Sequence, residues 1–107
     1  MSWIIDNRDK FDIYIPSFKQ EVELIFAISS LDFHSNKIVD SSKFDSTILL
    51  YKTLQSVYFQ HKLHQKSFIV ILKKEPVFSG FNKSFVSLPT QSEAIDYIYM
   101  EELERNL

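Results

Sequence analysis

The chain has 107 residues, of which 45% are hydrophobic, and its 12 basic and 14 acidic side chains give a formal net charge of −2. This length is typical of one domain with its own hydrophobic core, so we expect a single domain over residues 1–107. Cysteine is absent, which excludes disulfides, thiolate metal sites and cysteine nucleophiles, and one glycine, Gly80, is too few for a glycine-rich phosphate-binding loop. The charges are interleaved without a basic stripe, so nucleic acid is not the expected partner.

The N-terminal residues do not have the pattern of an export signal. The stretch before Asp6 is shorter than the apolar core of a secretory signal peptide. No apolar run reaches the ~18 residues that a membrane-spanning helix needs. The sequence therefore predicts a cytoplasmic protein without a membrane partner.

The first predicted elements are a β-hairpin and a helix. Strands are expected at residues 3–6 and 11–15, because a polar, turn-like segment separates two apolar runs. A helix is expected over residues 18–31, with Ser17 and Gln20 at the spacing of a capping box. The residues assigned to its buried face are Phe18, Val22, Ile25, Phe26 and Ser29.

A short strand and a long helix follow. The apolar pair Ile38-Val39 predicts a buried strand at residues 36–40. A helix is then expected from about residue 46 to residue 64. The residues assigned to its buried face are Leu50, Leu54, Val57, Tyr58 and His61.

The last part of the chain is predicted to contain two more strands and a final helix. Continuous apolar character over residues 67–72 indicates a central strand that is covered on both faces. An irregular segment separates it from a further strand at residues 84–88, and Thr90 and Glu93 form a capping box that opens the last helix. The order ββαβαβ(loop)βα predicts an α/β fold, with a mixed β-sheet of about five strands and helices packed on it.

Residues 44–49, between the third strand and the second helix, read Phe-Asp-Ser-Thr-Ile-Leu. They resemble the motif Asp-Ser-Ser-Gly-Leu, which opens a helix in the STAS domain, the fold of anti-anti-sigma factors. Asp45 and Ser46 match this motif, Thr47 keeps the second hydroxyl, and Ile48 replaces the glycine. The resemblance implies a STAS-like fold, with Ser46 as the phosphoacceptor of a partner kinase and an anti-sigma-like regulator as a further partner.

The chain is also similar to a small STAS-like family of Bacteroidetes-type bacteria. The similarity includes the strand sequence at residues 66–70. The other shared positions are Phe85, Val86, Leu88, Pro89, Thr90, Glu93, Ala94, Asp96, Ile98, Met100, Glu101, Glu102, Glu104 and Arg105. This resemblance covers most of the chain and implies the same fold.

The start of the second predicted helix offers a physical reason for an anion site. The first N–H groups of a helix have no partner within it, so a phosphate on Ser46 or Thr47 gains hydrogen bonds and a favourable dipole interaction. A strand-to-helix junction also lies at the carboxyl edge of an open sheet, where ligands usually bind. The alternative is that Asp45 or Ser46 serves only as the N-cap of the helix. The sequence leaves both interpretations open.

Two further groups of residues are candidate sites. Phe78 and Phe81 flank Gly80, and they form either a partner-binding surface or a cover over the edge of the sheet. His61 and His64 have the spacing of a metal-binding pair, but a third ligand is not evident. We therefore expect no metal and place both histidines in the last turn of the helix, where positive charge suits the dipole.

These observations favour a regulatory module over an enzyme. A nucleophile with a neighbouring base cannot be named, nor can a metal ligand set, so we expect no catalytic activity and no cofactor. The expected function is a non-catalytic protein-binding module that is switched by phosphorylation at the start of the second helix. The alternative is a structural or assembly subunit that forms a homodimer without a phospho-switch.

Overall fold

The computed structural model describes residues 2–107, which form five strands and three helices in the predicted order. The strands are β1 (Trp3–Asn7), β2 (Asp12–Pro16), β3 (Lys37–Asp40), β4 (Phe68–Ile71) and β5 (Val86–Leu88). The helices are α1 (Glu21–Ser29), α2 (Ile48–Leu63) and α3 (Gln91–Arg105). Among the described residues, none of the helices is both long enough and apolar enough to cross a bilayer.

The five strands form one mixed sheet in the order β1-β2-β3-β4-β5. Strands β1 and β2 form the antiparallel hairpin, and β2 to β5 run parallel to one another. Ile38 of β3 lies beside Ile13 on one side and Ile69 on the other. All four residues of β4 are buried, which confirms the central strand that its continuous apolar sequence predicted.

The helices cover both faces of the sheet. Each crossover between parallel strands moves in the same direction across the sheet, and right-handed crossovers therefore place α1 and α2 on the same face. Val39 and Val70 belong to the core on that side. On the opposite face Ala94 and Ile98 of α3 pack in a second core with Ile38.

The connection from β4 to β5 contains no helix, and aromatic side chains take its place. Phe78, Phe81 and Phe85 surround the ring of Tyr51, with centroid distances of 5.0, 6.0 and 5.2 Å. The edge-to-face arrangement of Phe78 and Phe85 with Tyr51 is the favoured geometry for aromatic pairs. These rings close the part of the core that a third crossover helix would otherwise cover.

The prediction for the first helix was wrong in its start and in its buried face. Helix α1 begins at Glu21, and the Ser17 hydroxyl donates to the backbone of Ser2 instead of capping the helix. Val22 and Phe26 are 68% and 65% exposed. The buried residues of α1 are Leu24, Ala27 and Ile28. Apolar residues occur almost all round this helix, so its periodicity does not decide which stripe meets α2 and the sheet.

The other two helices agree better with their sequence patterns. Helix α2 begins two residues later than predicted, at Ile48, and its buried face includes Leu50, Leu54, Val57 and His61. Tyr51 is buried there, whereas Tyr58 is only half-buried. The second capping box is confirmed, because the Thr90 hydroxyl accepts a hydrogen bond of 3.2 Å from the Glu93 N–H.

Candidate functional site

The segment between β3 and α2 is a tight turn that is fixed to the neighbouring strand. The Ser41 N–H donates to the carbonyl oxygen of Ile71 at the end of β4, at 3.0 Å. The Asp40 carboxylate accepts hydrogen bonds from the N–H and the hydroxyl of Ser42, at 3.0 and 2.6 Å. The Asp40 carboxylate is therefore used by the turn.

Thr47 is the N-cap of α2, although Asp45 or Ser46 was expected in that position. Its hydroxyl accepts a hydrogen bond of 3.2 Å from the Leu50 N–H and donates one to the Glu21 carboxylate of α1. The hydroxyl is thus occupied on both sides. Of the two candidate hydroxyls, Thr47 holds α2 and α1 together, and Ser46 is left for another role.

A cleft of about 540 Å³ lies at the carboxyl ends of β3 and β4. It is lined by residues from the turn before α2 and from the segment after β4, namely Ser42, Lys43, Phe44, Asp45, Ser46, Lys73, Lys74, Glu75 and Pro76. Ser46 is half-buried in its wall and Asp45 is exposed. The structure thus brings Asp45 and Ser46 into the same cleft, at the sheet edge where the sequence placed them.

The cleft carries a surplus of positive charge. Lys43, Lys73 and Lys74 line it, and within residues 2–107 these three side chains form no ion pair. Glu75 is compensated, because its carboxylate lies 3.4 Å from the Lys83 ammonium and accepts a hydrogen bond from Ser87. Uncompensated lysines beside a helix N-terminus favour the binding of an anion.

Tyr51, which lines the cavity next to this cleft, is a residue that the sequence analysis missed. It is 1% exposed, and its hydroxyl has no hydrogen-bond partner within the described residues. Burial is the main cause that raises the pKa of Tyr51, and the nearby Glu75 carboxylate raises it further. Ser46, whose side chain is near enough to the phenol for a hydrogen bond although none of normal geometry is formed, lowers it. The phenol therefore keeps its proton at neutral pH and lies close to Ser46. Its spacing of three residues from Leu54 on the same helix is the signal that could have placed it inside.

Phe78 and Phe81 are half-buried and pack against the core through Tyr51. They also line a second cavity of about 420 Å³, whose wall shares Glu75 and Pro76 with the cleft. The two rings therefore serve as core and as cavity wall together.

The opposite end of β3 holds a buried polar cluster that the sequence analysis also missed. Lys37 is fully buried, and its ammonium lies 2.7 Å from the Asp32 carbonyl oxygen, 3.2 Å from the Ser35 carbonyl oxygen and 3.0 Å from His61 Nε2. The His61 Nδ1–H donates to the carbonyl oxygen of Val57 at 2.8 Å, so Nε2 is free to accept from Lys37.

The expected positive charge on His61 is wrong. Burial first, and then the nearby Lys37 ammonium, lower the pKa of His61 to about 4, so the ring is neutral at neutral pH. Its role is to satisfy a buried ammonium and to pack on Phe68, at a centroid distance of 4.8 Å. In the part of the chain that the structure describes, no three His, Asp or Glu side chains are grouped so that they could hold a metal ion.

The cleft and the polar cluster thus lie at opposite ends of one buried strand, and the cleft is lined by Asp45 and Ser46, two of the residues on which the STAS resemblance depends. A comparison with protein-family models and with curated proteins found no match for this chain. The structure shows an α/β protein with a five-stranded mixed sheet and three helices, and a lysine-lined cleft around Ser46.

Proposed function

We propose that the chain is a STAS-like, non-catalytic binding module of the cytoplasm, in which phosphorylation of Ser46 switches a contact with a protein partner. The observation that carries the proposal is the position of Ser46. It is half-buried in a cleft at the carboxyl ends of β3 and β4, directly before the N-cap of α2, and it is the hydroxyl of the motif that the capping interactions leave unused.

The electrostatics of the cleft support a phosphorylated serine. A phosphoserine carries roughly −1.5 to −2 charges at neutral pH and three strong acceptor oxygens. Lys43, Lys73 and Lys74 line the same cleft without ion pairs within residues 2–107. Phosphorylation reverses the charge balance of this surface, which changes the set of proteins that can dock on it.

The same cleft gives little support to catalysis. Its polar lining residues from the turn include Ser42, Asp45 and Ser46, and three lysines also line it. The residues that line the cleft include no histidine that could act as a base for Ser46. The carboxylate of Asp40, the last residue of β3, forms its hydrogen bonds with Ser42. We therefore assign protein binding to the module, with a kinase and an anti-sigma-like regulator as the partners that the STAS resemblance implies.

The proposal is tested by affinity capture with the variants Ser46→Ala and Ser46→Asp. We expect the two variants to retain different sets of proteins, since Ser46→Ala cannot be phosphorylated and Ser46→Asp adds a negative charge. Ser92→Ala and Ser92→Asp are matched controls, because Ser92 is an exposed serine of α3, which packs on the opposite face of the sheet from α2, and it does not line the cleft. If wild type and both Ser46 variants retain the same proteins, the switch is wrong.

A second candidate function, a homodimeric assembly subunit, is favoured by the edge of the sheet. Strand β1 pairs only with β2, and its Ile4 and Ile5 side chains are exposed. An exposed apolar edge strand is a template for pairing with another chain. Light scattering over a range of concentrations tests this candidate, with Ile4→Lys as the variant that should abolish association. A mass that stays monomeric at every concentration contradicts it.

A further inference from the structure

Tyr51 carries a buried hydroxyl for which the fold provides no hydrogen bond of normal geometry, with the Ser46 side chain as its near neighbour. The side chain is 1% exposed, and the hydroxyl has no hydrogen-bond partner within residues 2–107. Buried hydroxyls in native structures nearly always have a partner, because an unsatisfied one destabilises the fold. A group of this kind therefore points to an interaction that forms in another state of the protein.

The position of Tyr51 connects it with Ser46. Tyr51 lies in the first turn of α2, where its N–H donates to the Thr47 carbonyl oxygen at 3.0 Å. Its side chain lines the cavity that shares Glu75 and Pro76 with the cleft around Ser46. Ser46 and Glu75 are also the two side chains that affect the pKa of Tyr51. The hydroxyl is thus within the immediate surroundings of Ser46 and is closed to solvent.

We infer that Tyr51 is the receptor of a phosphate on Ser46: its hydroxyl donates a hydrogen bond to a phosphoryl oxygen and holds the phosphate inside the cleft. This inference rests on the proposed phosphorylation of Ser46 and specifies what the modification does within the chain. A tethered phosphate fits the geometry better than a free one, because Ser46 already lies in the cleft wall close to the enclosed Tyr51 hydroxyl and carries the phosphate to it.

The covalent step is an ordinary phosphoryl transfer from ATP by a partner kinase. The bond between Ser46 Oγ and the γ-phosphorus forms, the bond from that phosphorus to the β–γ bridging oxygen breaks, the hydroxyl proton is released and ADP leaves. The phosphate then accepts a hydrogen bond from Tyr51 in a cleft lined by Lys73 and Lys74. The one carboxylate close to Tyr51, Glu75, is already compensated by Lys83 and Ser87.

The test compares Tyr51→Phe in two forms of the full chain, one unmodified and one carrying phosphoserine at position 46 through genetic incorporation. In the unmodified chain, the variant should leave the melting temperature unchanged or raise it, because it removes a hydroxyl without a partner. In the phosphorylated chain it should lower the melting temperature, because it removes a hydrogen bond to a charged group. The second pKa of the phosphate, followed by ³¹P NMR, should rise in the phosphorylated Tyr51→Phe chain.

Tyr58→Phe is the matched control, since Tyr58 is a half-buried tyrosine of α2 that lies outside the cleft. It should shift the melting temperature equally in both forms. The inference is overturned if Tyr51→Phe also shifts both forms equally, even when affinity capture shows a switch at Ser46. The converse result is that Tyr51→Phe lowers the melting temperature only of the phosphorylated form while the Ser46 variants capture the same proteins as wild type. That result contradicts the proposed function and supports the contact between Tyr51 and the phosphate.

Discussion

The two ends of β3 are built from similar polar residues and are used in opposite ways. At the amino end Lys37 and Asn36 are buried, and each of them contacts several polar atoms of neighbouring segments. At the carboxyl end the strand leads into a cleft in which three lysines form no ion pair within residues 2–107, and the Tyr51 hydroxyl has no partner there.

The difference shows which end contributes stability and which end is available for binding. Polar groups that are buried and paired hold segments together, and their loss is costly because the remaining partners stay desolvated. Polar groups at an open, unpaired edge contribute little to folding and can interact with another molecule.

The largest expected effect is a loss of stability on acidification, which originates from His61. Its pKa is about 4 in the folded state, against 6.5 for the ordinary side chain. Between these values the unfolded state binds more protons. The contribution of the neutral His61 ring to the free energy of unfolding is therefore present above pH 6.5 and is lost as the pH falls towards 4. The loss is on the order of 3 kcal/mol. Urea unfolding at pH 7, 5.5 and 4 measures it.

Two variants identify the source of this pH dependence. His61→Gln should flatten the dependence between pH 6.5 and 4, whereas His64→Gln should leave most of it, because His64 is exposed and makes the smallest contribution to the lowered pKa of His61. An equal loss of stability in wild type and in His61→Gln would show that the buried neutral ring is not the cause.

The second effect concerns Asn36, which joins three segments at the amino end of β3. Its side chain donates to the Lys10 carbonyl oxygen at 2.9 Å and accepts from the Ser67 N–H at 2.8 Å. Asn36→Ala leaves these buried groups without partners and should cost about 2 kcal/mol of unfolding free energy. Asn82→Ala, at an exposed position, should change stability by less than about 0.5 kcal/mol. Similar losses for the two variants would remove the contrast.

A smaller effect is expected at Thr47, where α2 begins. Removing its hydroxyl in Thr47→Ala leaves the Leu50 N–H without its cap and should cost about 1 kcal/mol, measured by urea unfolding. Thr53→Ala is the control on the same helix, because the Thr53 hydroxyl only bonds back to the Leu49 carbonyl oxygen. It should be nearly neutral. A neutral Thr47→Ala would contradict the assignment of Thr47 as the cap.

The smallest effect is expected for the lysines of the cleft. Lys73 and Lys74 are exposed and form no ion pair within residues 2–107. Replacing either by glutamine should change the unfolding free energy by less than about 0.5 kcal/mol. A loss as large as that expected for Asn36→Ala would mean that the cleft is a structural element and not an available surface.

The sequence predicted more of the fold than of the candidate site. The order of the elements, the buried strand β4 and the Thr90 cap were all predicted and are confirmed. For the site, the position of Ser46 at the carboxyl edge of the sheet is confirmed, but the cap was assigned to the wrong residue. Adjacent hydroxyls such as Ser46 and Thr47 have similar capping preferences, and the choice between them depends on Glu21 of another helix.

What the sequence by itself determined about this protein is local: periods of apolar residues, turn residues and a capping box, each of which depends on neighbours along the chain. Only the tertiary structure decided which face of α1 is buried, why Lys37 needs a neutral His61, and that Tyr51 lies beside Ser46 with an unused hydroxyl. These properties depend on which surfaces of the helices and the sheet pack together. That packing removes side chains from water, and the loss of water sets their charge state.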